Sequence, residues 1–281
     1  MSKNFFRSKN SLAQSNLVLL GIPFDATSAF RPGSRFAPDQ IRLYSEGIES
    51  YSPYQDKDLE EIEFYDAGNV EITISNFSAL RTAVQAQVEA FLNSGKKVIA
   101  LGGEHLIALP VVETYLKKYP ALKVLHFDAH ADLLDEYLGE PYSHATVIRR
   151  ICDLIGGNHV YQFGIRSGLK EEFEFAKNST HFYPFEFQAQ TVQPIVESLS
   201  GSPVYLTLDL DVLDPACFPG TGTPEPGGVT FQQLLQTLLA LANLNIVGAD
   251  VVELCPPYDR SEVSTMTAIT ILRELIVLLG K

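Results

Sequence analysis

The stretch LKVLHFDAHADLLDEY, residues 122–137, decides the interpretation of this chain. It begins with an apolar run that is typical of a buried strand, and three metal-capable side chains follow at every second position: Asp128, His130 and Asp132. Because alternate residues of a strand point to the same side, we predict that the three line one face. That span is long for one ion, but it suits two ions that share ligands at the roughly 3.5–4 Å separation of two-metal hydrolytic sites.

The same pattern returns in two other segments. In LTLDLDVLDP, residues 206–215, Asp209 and Asp211 stand two apart where another apolar strand ends. In LGGEHLIALP, residues 101–110, two glycines permit a tight turn before His105 opens a helix. Each segment alone has a structural explanation, as a hydrogen-bonding network, a turn or a helix start. Together they supply two histidines and four aspartates, an oxygen-rich set without thiolates that favours Mn²⁺ over structural zinc and would also fit iron or cobalt.

Short apolar runs alternate with amphipathic segments along the rest of the chain. The predicted strands are 17–22, 63–66, 97–101, 123–128, 160–164, 181–183, 204–210 and 245–252. The predicted helices lie near 38–44, 80–92, 107–118, 145–154, 170–177, 192–199, 230–242 and 264–279. The alternation indicates right-handed βαβ units and a mostly parallel sheet, as an open three-layer sandwich or a barrel. In either architecture, ligands gather at the carboxyl ends of the strands, where these polar residues lie.

Composition narrows the class of protein. The 281 residues are 46% hydrophobic with a formal net charge of −13, which argues against nucleic acid as a partner and is compatible with a cationic substrate. Without a linker or charge block, we predict a single domain over 1–281, with 1–16 as a flexible N-terminal extension. No apolar run approaches the length of a membrane span, no signal peptide is evident, and three unpaired cysteines predict a cytoplasmic protein.

The segments GGEHL, FDAHADLLDEY, SHAT, LTLDLDVLDPACFPGTGTPEPGG and VVELCPPYD resemble the ureohydrolase family, which includes arginases and agmatinases. RPGSRFAPDQIR is similar to the family's early loop and first helix, and the likeness runs from about Gly21 to the C-terminus. The resemblance implies a three-layer α/β/α fold around a parallel, eight-stranded sheet, two Mn²⁺ ions per chain, and assembly as a homotrimer or homohexamer.

Carried over by motif, the resemblance also implies roles for individual residues. A hydroxide that bridges the two metals would attack the guanidinium carbon, and the tetrahedral intermediate would collapse to urea and an amine. His144 matches the family's acid–base histidine, and Glu253 matches the glutamate that receives the guanidinium. One metal would be bound by His105 and Asp132, the other by His130 and Asp211, and both by Asp128 and Asp209.

The favoured substrate is agmatine, which would yield putrescine and urea for polyamine biosynthesis. The loop LLDEYLGEPYSHAT, residues 133–146, resembles agmatinases more than arginases and carries the acidic Asp135, Glu136 and Glu140 but no cationic anchor for a carboxylate. Leu134 occupies an often polar position of the loop, so guanidinobutyrate, guanidine or arginine stay open as substrates. Glu104, where many relatives have Asp, is expected to act outside the metal ligands.

Two other functions stay open. A phosphoesterase could use the same kind of two-metal site, although it would be expected to have Lys or Arg near the metals to balance the charge of the phosphate. A non-catalytic, metal-stabilised relative is the other alternative. We interpret His126 as a hydrogen-bonded core histidine, Cys217 and Cys255 as packing thiols, and Arg166 as a subunit anchor or a local salt bridge.

Overall fold

Eight parallel strands form one open sheet at the centre of the molecule, in the order β4-β1-β5-β10-β9-β6-β7-β8. The computed structural model describes residues 4–9, 11–72, 76–185, 187 and 189–280. A separate antiparallel pair joins β2 and β3. The strands are β1 (Leu17–Ile22), β2 (Tyr51–Ser52), β3 (Lys57–Asp58), β4 (Phe64–Asn69), β5 (Lys97–Gly102), β6 (Lys123–Phe127), β7 (Val160–Phe163), β8 (His181–Tyr183), β9 (Pro203–Asp209) and β10 (Asn245–Val252).

Helices cover both faces of this sheet, so the predicted three-layer α/β/α architecture is confirmed. The helices are α1 (Ala37–Tyr44), α2 (Phe77–Asn93), α3 (Ala108–Lys118), α4 (Val147–Ile155), α5 (Lys170–Ser179), α6 (Ala189–Ser198), α7 (Phe231–Ala240) and α8 (Val263–Leu279). Residues of α1, α6, α7 and α8 share one apolar core, and residues of α2, α3, α4 and α5 share the other. None of the helices in the described ranges has both the length and the apolar character of a membrane span.

The two cores explain why the strands read as continuous apolar runs in the sequence. On β1, Leu17 and Leu19 pack into the core with α8, whereas Leu20 and Ile22 pack into the core with α2 and α3. Alternate residues of a strand point to opposite faces, so a strand covered on both sides needs apolar residues at every position. The bounds of β1, β8 and β10 agree with the sequence prediction, whereas the two-residue strands β2 and β3 carried too little pattern to be predicted.

The described part of the N-terminal segment packs on the domain. Phe5 is 1% exposed and meets the ring of Phe64 edge-on, with 6.2 Å between ring centroids. Its backbone N–H donates to Asp66 Oδ2 at 2.7 Å, and the N–H of Lys9 donates to the carbonyl of Phe64 at 2.8 Å. One buried aromatic ring thus contacts the domain from a segment whose average composition is polar, and the flexibility of 1–16 stays a prediction.

The strand order explains how segments distant in sequence come together. Four strands at the centre of the sheet, β5, β10, β9 and β6, lie side by side and run in the same direction. Their carboxyl ends therefore open onto one edge of the sheet, where parallel α/β proteins bind ligands. The predicted site residues all lie at the ends of these four strands or in the segments that follow them. Asp209 is the last residue of β9, and His144 lies near the far end of the connection from β6 to α4.

Candidate active site

Two groups of imidazole and carboxylate side chains meet at the edge of the central strands. In the first group, His105 Nδ1 lies 3.0 Å from Asp128 Oδ2, 3.1 Å from Asp132 Oδ2 and 3.4 Å from Asp209 Oδ2. In the second, His130 Nδ1 lies 2.9 Å from Asp211 Oδ2 and 3.6 Å from the other oxygen of Asp128, Oδ1. Asp128 thus presents one oxygen to each group. The structure brings all six predicted metal-binding side chains together.

The reason given for this convergence in the sequence analysis is wrong. Strand β6 ends at Phe127, so Asp128, His130 and Asp132 do not line one face of an extended strand. The chain turns instead: the N–H of His130 donates to Asp128 Oδ1 at 2.6 Å, and Asp132 adopts a left-handed backbone with φ of 53°. A non-glycine residue at positive φ carries strain, which recurs at functional sites. The turn collects the three side chains more tightly than a strand would.

Hydrogen bonding behind His105 fixes which ring nitrogen faces the carboxylates. The Thr207 hydroxyl donates its single hydrogen to the buried Asp250 carboxylate, at 2.7 Å. Thr207 Oγ1 also lies 2.8 Å from His105 Nε2, so it must accept there, and Nε2 carries the hydrogen. The other nitrogen, Nδ1, then faces the carboxylates of the first group with the electron pair that can bind a proton or a metal ion, and it makes no well-aligned hydrogen bond within the described part of the chain. A buried lone pair among three carboxylates fits a cation held between them.

His126 lies beside this group but faces it with a hydrogen rather than a lone pair. Its Nε2 is 2.8 Å from Asp128 Oδ2. The side-chain amide of Gln162 donates to His126 Nδ1 at 3.2 Å, so the hydrogen of the neutral ring lies on Nε2. Burial lowers the pKa of His126, which agrees with the neutral form. Although His126 is close enough to be counted with the first group, this geometry makes it a donor that orients Asp128, as the core-histidine interpretation expects.

The electrostatics of the two groups also favour bound cations. Burial, and then the charge of Asp128, raises the pKa of Asp132 to about 7. Burial and the neighbouring carboxylates raise the pKa of Asp209 well above its usual range. Burial would lower the pKa of His105, but the carboxylates beside it raise that pKa well above its ordinary value. The group therefore holds even a proton tightly, and oxygen-rich, buried ligands of this kind fit divalent metal ions.

Glu253 directly follows β10, next to the first group. Its backbone is left-handed, with φ of 64°, and its N–H donates to the Gly103 carbonyl at 3.0 Å. Its side-chain Oε1 accepts the backbone N–H of His105 at 2.8 Å. Burial, followed by the charge of Glu104, raises the pKa of Glu253 well above its usual range. The carboxylate is therefore oriented by the main chain of a predicted ligand, in a place where a bound cation would be favourable.

His144 lies at the start of a short 3-10 helix, His144–Thr146, that leads into α4. Its backbone N–H donates to Thr27 Oγ1 at 3.0 Å, and the ring of Tyr137 approaches edge-on at 5.5 Å between centroids. Burial, and then the charge of His130, lowers the pKa of His144 to about 4. His144 is therefore a neutral imidazole at neutral pH. The charge of His105 contributes to this lowering of the pKa as well, so the His144 ring is electrostatically coupled to both histidines.

The acidic loop after Asp132 is only partly available to a ligand. Asp135 is exposed but pairs with Arg150, at 2.5 Å, and this hydrogen bond lowers the pKa of Asp135. Glu136 and Glu140 are exposed. Leu134, which the sequence analysis singled out for substrate specificity, donates its backbone N–H to the Ala145 carbonyl at 3.3 Å. This hydrogen bond joins the two ends of the loop 133–146.

Arg166 has a role that the sequence analysis missed. Its guanidinium donates to the backbone carbonyls of Asp211, at 2.9 Å, Val212, at 3.2 Å, and Glu225, at 2.7 Å. The interpretation as a local salt bridge is therefore replaced by a clamp on carbonyls, which joins the beginning and the end of the connection between β9 and α7. Thr207, two residues before Asp209 on the same strand, was detectable as a polar residue in an apolar run. Thr27 carried no such signal.

Comparisons with known proteins agree with this geometry. The profile of the arginase family matches residues 15–278. The chain is 46% identical to an agmatinase of Bacillus anthracis, over 98% of this chain and 96% of that protein. It is 45% identical to an agmatinase of Bacillus subtilis (strain 168), with the same coverage. The crystal structure of an agmatine ureohydrolase of Thermoplasma volcanium superposes with a TM-score of 0.88 at 33% identity, covering 99% of this chain and 94% of that one.

Proposed function

The chain belongs to the arginase family, and from that premise we propose that it hydrolyses agmatine to putrescine and urea. The observation that carries the proposal is the pair of imidazole–carboxylate groups that share Asp128, with the buried Glu253 carboxylate held beside them. The agmatinases of two Bacillus species, similar over nearly the whole chain, support this choice of substrate.

The two groups are proposed to hold two Mn²⁺ ions, because their ligands are carboxylate oxygens and imidazole nitrogens without a thiolate. When bound, the ions would lower the pKa of a water molecule and so supply the nucleophile. The Thr207 hydroxyl fixes His105 with its lone pair toward one ion, and His126 holds Asp128 by a hydrogen bond. The proposed ligands are His105 and Asp132 for one ion, His130 and Asp211 for the other, and Asp128 and Asp209 for both.

Glu253 is proposed to receive the guanidinium. A carboxylate can accept two parallel N–H bonds from a planar guanidinium, which fixes both the position and the plane of the substrate. The backbone N–H of His105 holds one oxygen of Glu253, so the carboxylate is oriented before the substrate arrives. Because burial disfavours the charge of Glu253, a cationic partner gains more there than it would in water.

His144 is proposed to transfer a proton to the leaving amine. Its ring is neutral at neutral pH, because burial lowers its pKa to about 4. It can take the proton that the attacking oxygen loses as the carbonyl of urea forms, and because its pKa is low, the resulting imidazolium is a stronger acid than an ordinary one and passes that proton on readily. Collapse of the tetrahedral carbon then releases a neutral amine rather than an amide anion.

The distal end of the substrate decides between agmatine and its analogues. Arginine and guanidinobutyrate carry a carboxylate there, whereas agmatine carries only an ammonium. The loop 133–146 has no Lys or Arg, and Glu136 and Glu140 are exposed on it. These charges favour an ammonium over a carboxylate. Assembly as a homotrimer or homohexamer is part of the same proposal, and light scattering of the purified chain tests it.

The test is urea release by the purified chain loaded with Mn²⁺, with agmatine, arginine, guanidinobutyrate and guanidine compared side by side. We expect urea from agmatine, and we expect Asp128→Asn to abolish it. The matched control is Asp153→Asn, an exposed aspartate of α4, which should leave the rate unchanged. Urea from another of these compounds instead of agmatine would change the proposed substrate but would support the proposed reaction mechanism. If none of the four released urea while two metals were bound per chain, the proposal would be wrong.

A further inference from the structure

A buried carboxylate outside the metal ligands organises the loop that follows β1. Glu104 is 0% exposed, and among the described residues it accepts hydrogen bonds from a single loop: the Thr27 N–H at 2.9 Å, the Thr27 hydroxyl at 2.7 Å and the Ser28 hydroxyl at 3.2 Å. Three converging donors are the kind of environment that a buried carboxylate requires. Thr27 is therefore hydrogen-bonded to Glu104 through both its backbone N–H and its side-chain hydroxyl.

The contact between these two segments is close because a glycine permits it. The N–H of Glu104 donates to the Phe24 carbonyl at 2.7 Å, and a Cβ added at Gly103 would lie 1.8 Å from that carbonyl oxygen. The backbone after β5 thus packs directly against the backbone after β1. Thr27 stays at a fixed distance from Glu104 although 77 positions separate them in the sequence.

The Thr27 hydroxyl is also the contact of His144. Its oxygen accepts the backbone N–H of His144 at 3.0 Å and lies 3.3 Å from the ring nitrogen Nδ1. A hydroxyl has one hydrogen, and that of Thr27 is donated to Glu104. The oxygen can therefore only accept from His144, which requires that the hydrogen of the neutral ring lie on Nδ1. The other ring nitrogen, Nε2, is then left with its lone pair.

From this arrangement we propose that Thr27 and Glu104 are positioning residues for His144. They hold its ring in place as the Nδ1–H tautomer, so that Nε2 is the atom that accepts a proton and later gives it to the leaving amine. The catalytic importance of this arrangement rests on the proposed acid–base role of His144, whereas the tautomer itself does not. Neither residue touches the substrate in this proposal, and both act through the imidazole.

Three substitutions separate this role from simple packing. Thr27→Val keeps the shape and removes the hydroxyl, so the tautomer should no longer be fixed. Thr27→Ser keeps the hydroxyl and should keep the tautomer. Glu104→Gln turns an acceptor into a donor toward Thr27, which frees the threonine hydrogen for Nδ1 and should shift the ring toward the Nε2–H tautomer. Thr82→Val, at an exposed threonine that bonds within α2, is the control for the substitution itself.

The tautomer is read from ¹⁵N chemical shifts of histidine-labelled, full-length protein loaded with diamagnetic Zn²⁺, at a pH above the pKa of about 7 to which burial raises Glu104, so that this carboxyl group is ionised. The chain has six histidines, and a His144→Asn sample identifies the signals of this one. We expect the Nδ1–H pattern in the wild type and in Thr27→Ser, a mixture in Thr27→Val, and the opposite pattern in Glu104→Gln. In urea-release assays with Mn²⁺, Thr27→Val should lose about tenfold or more in kcat with KM changed less than about twofold, since general acid–base catalysis contributes roughly 10²–10⁴-fold.

Two results would overturn the proposal: an Nε2–H ring in the wild type, or Thr27→Val with the wild-type tautomer and kcat. Failure of the proposed function looks different. In that case the wild type releases no urea from any guanidino substrate, while the His144 tautomer still changes in the variants as expected. The hydrogen-bond arrangement would then be correct, but it would have no role in catalysis. A melting curve of each variant separates both cases from a failure to fold.

Discussion

Replacing Thr207 by valine tests the reasoning about the metal site most directly. The two side chains have nearly the same shape, so the packing of β9 against its neighbours should persist. The substitution removes the acceptor of the His105 Nε2–H and the donor to Asp250 at once. The ring of His105 then loses the contact that turns its lone pair toward the carboxylates of Asp128, Asp132 and Asp209.

The size of the effect of Thr207→Val on stability and on metal affinity depends on which hydrogen bonds Asp250 and His105 retain. Asp250 retains the hydrogen bond from the Tyr205 hydroxyl, at 2.8 Å, so its carboxylate stays partly satisfied. The lost partners should therefore lower the free energy of unfolding by about 1–3 kcal/mol. Loss of a hydrogen bond behind a metal-binding histidine typically weakens metal affinity by about 10–100-fold. That factor corresponds to roughly 1.4–2.8 kcal/mol of binding free energy for one ion, at about 1.4 kcal/mol per tenfold.

Metal affinity is measured by competition between the protein and a fluorescent Mn²⁺ chelator, and stability by urea denaturation of the metal-free chain. Thr207→Ser, which keeps the hydroxyl, is the matched control and should stay within about threefold of the wild-type affinity, well inside the 10–100-fold loss expected for valine. If the valine variant unfolded more easily but bound Mn²⁺ as tightly as the wild type, Thr207 would not orient His105. The tautomer derived for that ring would then be refuted.

Three further predictions concern pH, the arginine clamp and the N-terminal segment. The metal-free chain should become less stable as the pH rises from about 4.5 to about 7, because Glu104 and Asp132, with pKa values raised to about 7, keep protons in the folded state that the unfolded chain has already released. Urea denaturation at several pH values measures this stability, and added Mn²⁺ should reverse the trend. A metal-free stability that rises over this range would contradict the prediction. Arg166→Met should lower kcat, and the backbone amides around Glu225 should exchange hydrogen faster, because the carbonyls of Asp211 and Glu225 lose their donor. Unchanged exchange protection of that loop would refute the clamp. Phe5→Ala should lower the free energy of unfolding by about 3–5 kcal/mol, as expected for a fully buried ring. A change below about 1 kcal/mol in denaturation would contradict this anchoring and support the predicted flexible extension.

The convergence of the proposed metal ligands could be predicted from the sequence because each of them lies in its own local motif at the end of an apolar strand. For the three residues at 128, 130 and 132 and the pair at 209 and 211, the prediction needed only the rule that parallel strands end at one edge of the sheet. Their geometry was not predictable, since the left-handed turn at Asp132 breaks the alternation on which the strand argument relied. Three-dimensional packing, rather than periodicity, decides where such a turn falls.

The residues that orient the ligands were harder to predict for a different physical reason. The hydrogen bond from Thr207 to Asp250 joins β9 and β10, and it becomes visible only when the order of the strands is known. The contact of Thr27 with Glu104 joins segments that are 77 positions apart, and neither residue type is unusual in its local context. The anchoring of Phe5 was hidden for a similar reason, because one apolar side chain hardly changes the average of a polar segment.

The left-handed backbones at Asp132 and Glu253 have a consequence for how sequences of this kind diverge. At each position, a side chain holds the chain in a conformation that costs roughly 1–3 kcal/mol and that glycine would adopt without strain. Selection for thermal robustness alone would therefore favour glycine at 132 and 253, whereas the roles proposed for Asp132 and Glu253 require the carboxylates. If those roles hold, a gene copy that no longer needs the activity should accumulate glycine or asparagine at these two positions early, and the two positions would then distinguish inactive copies from active ones.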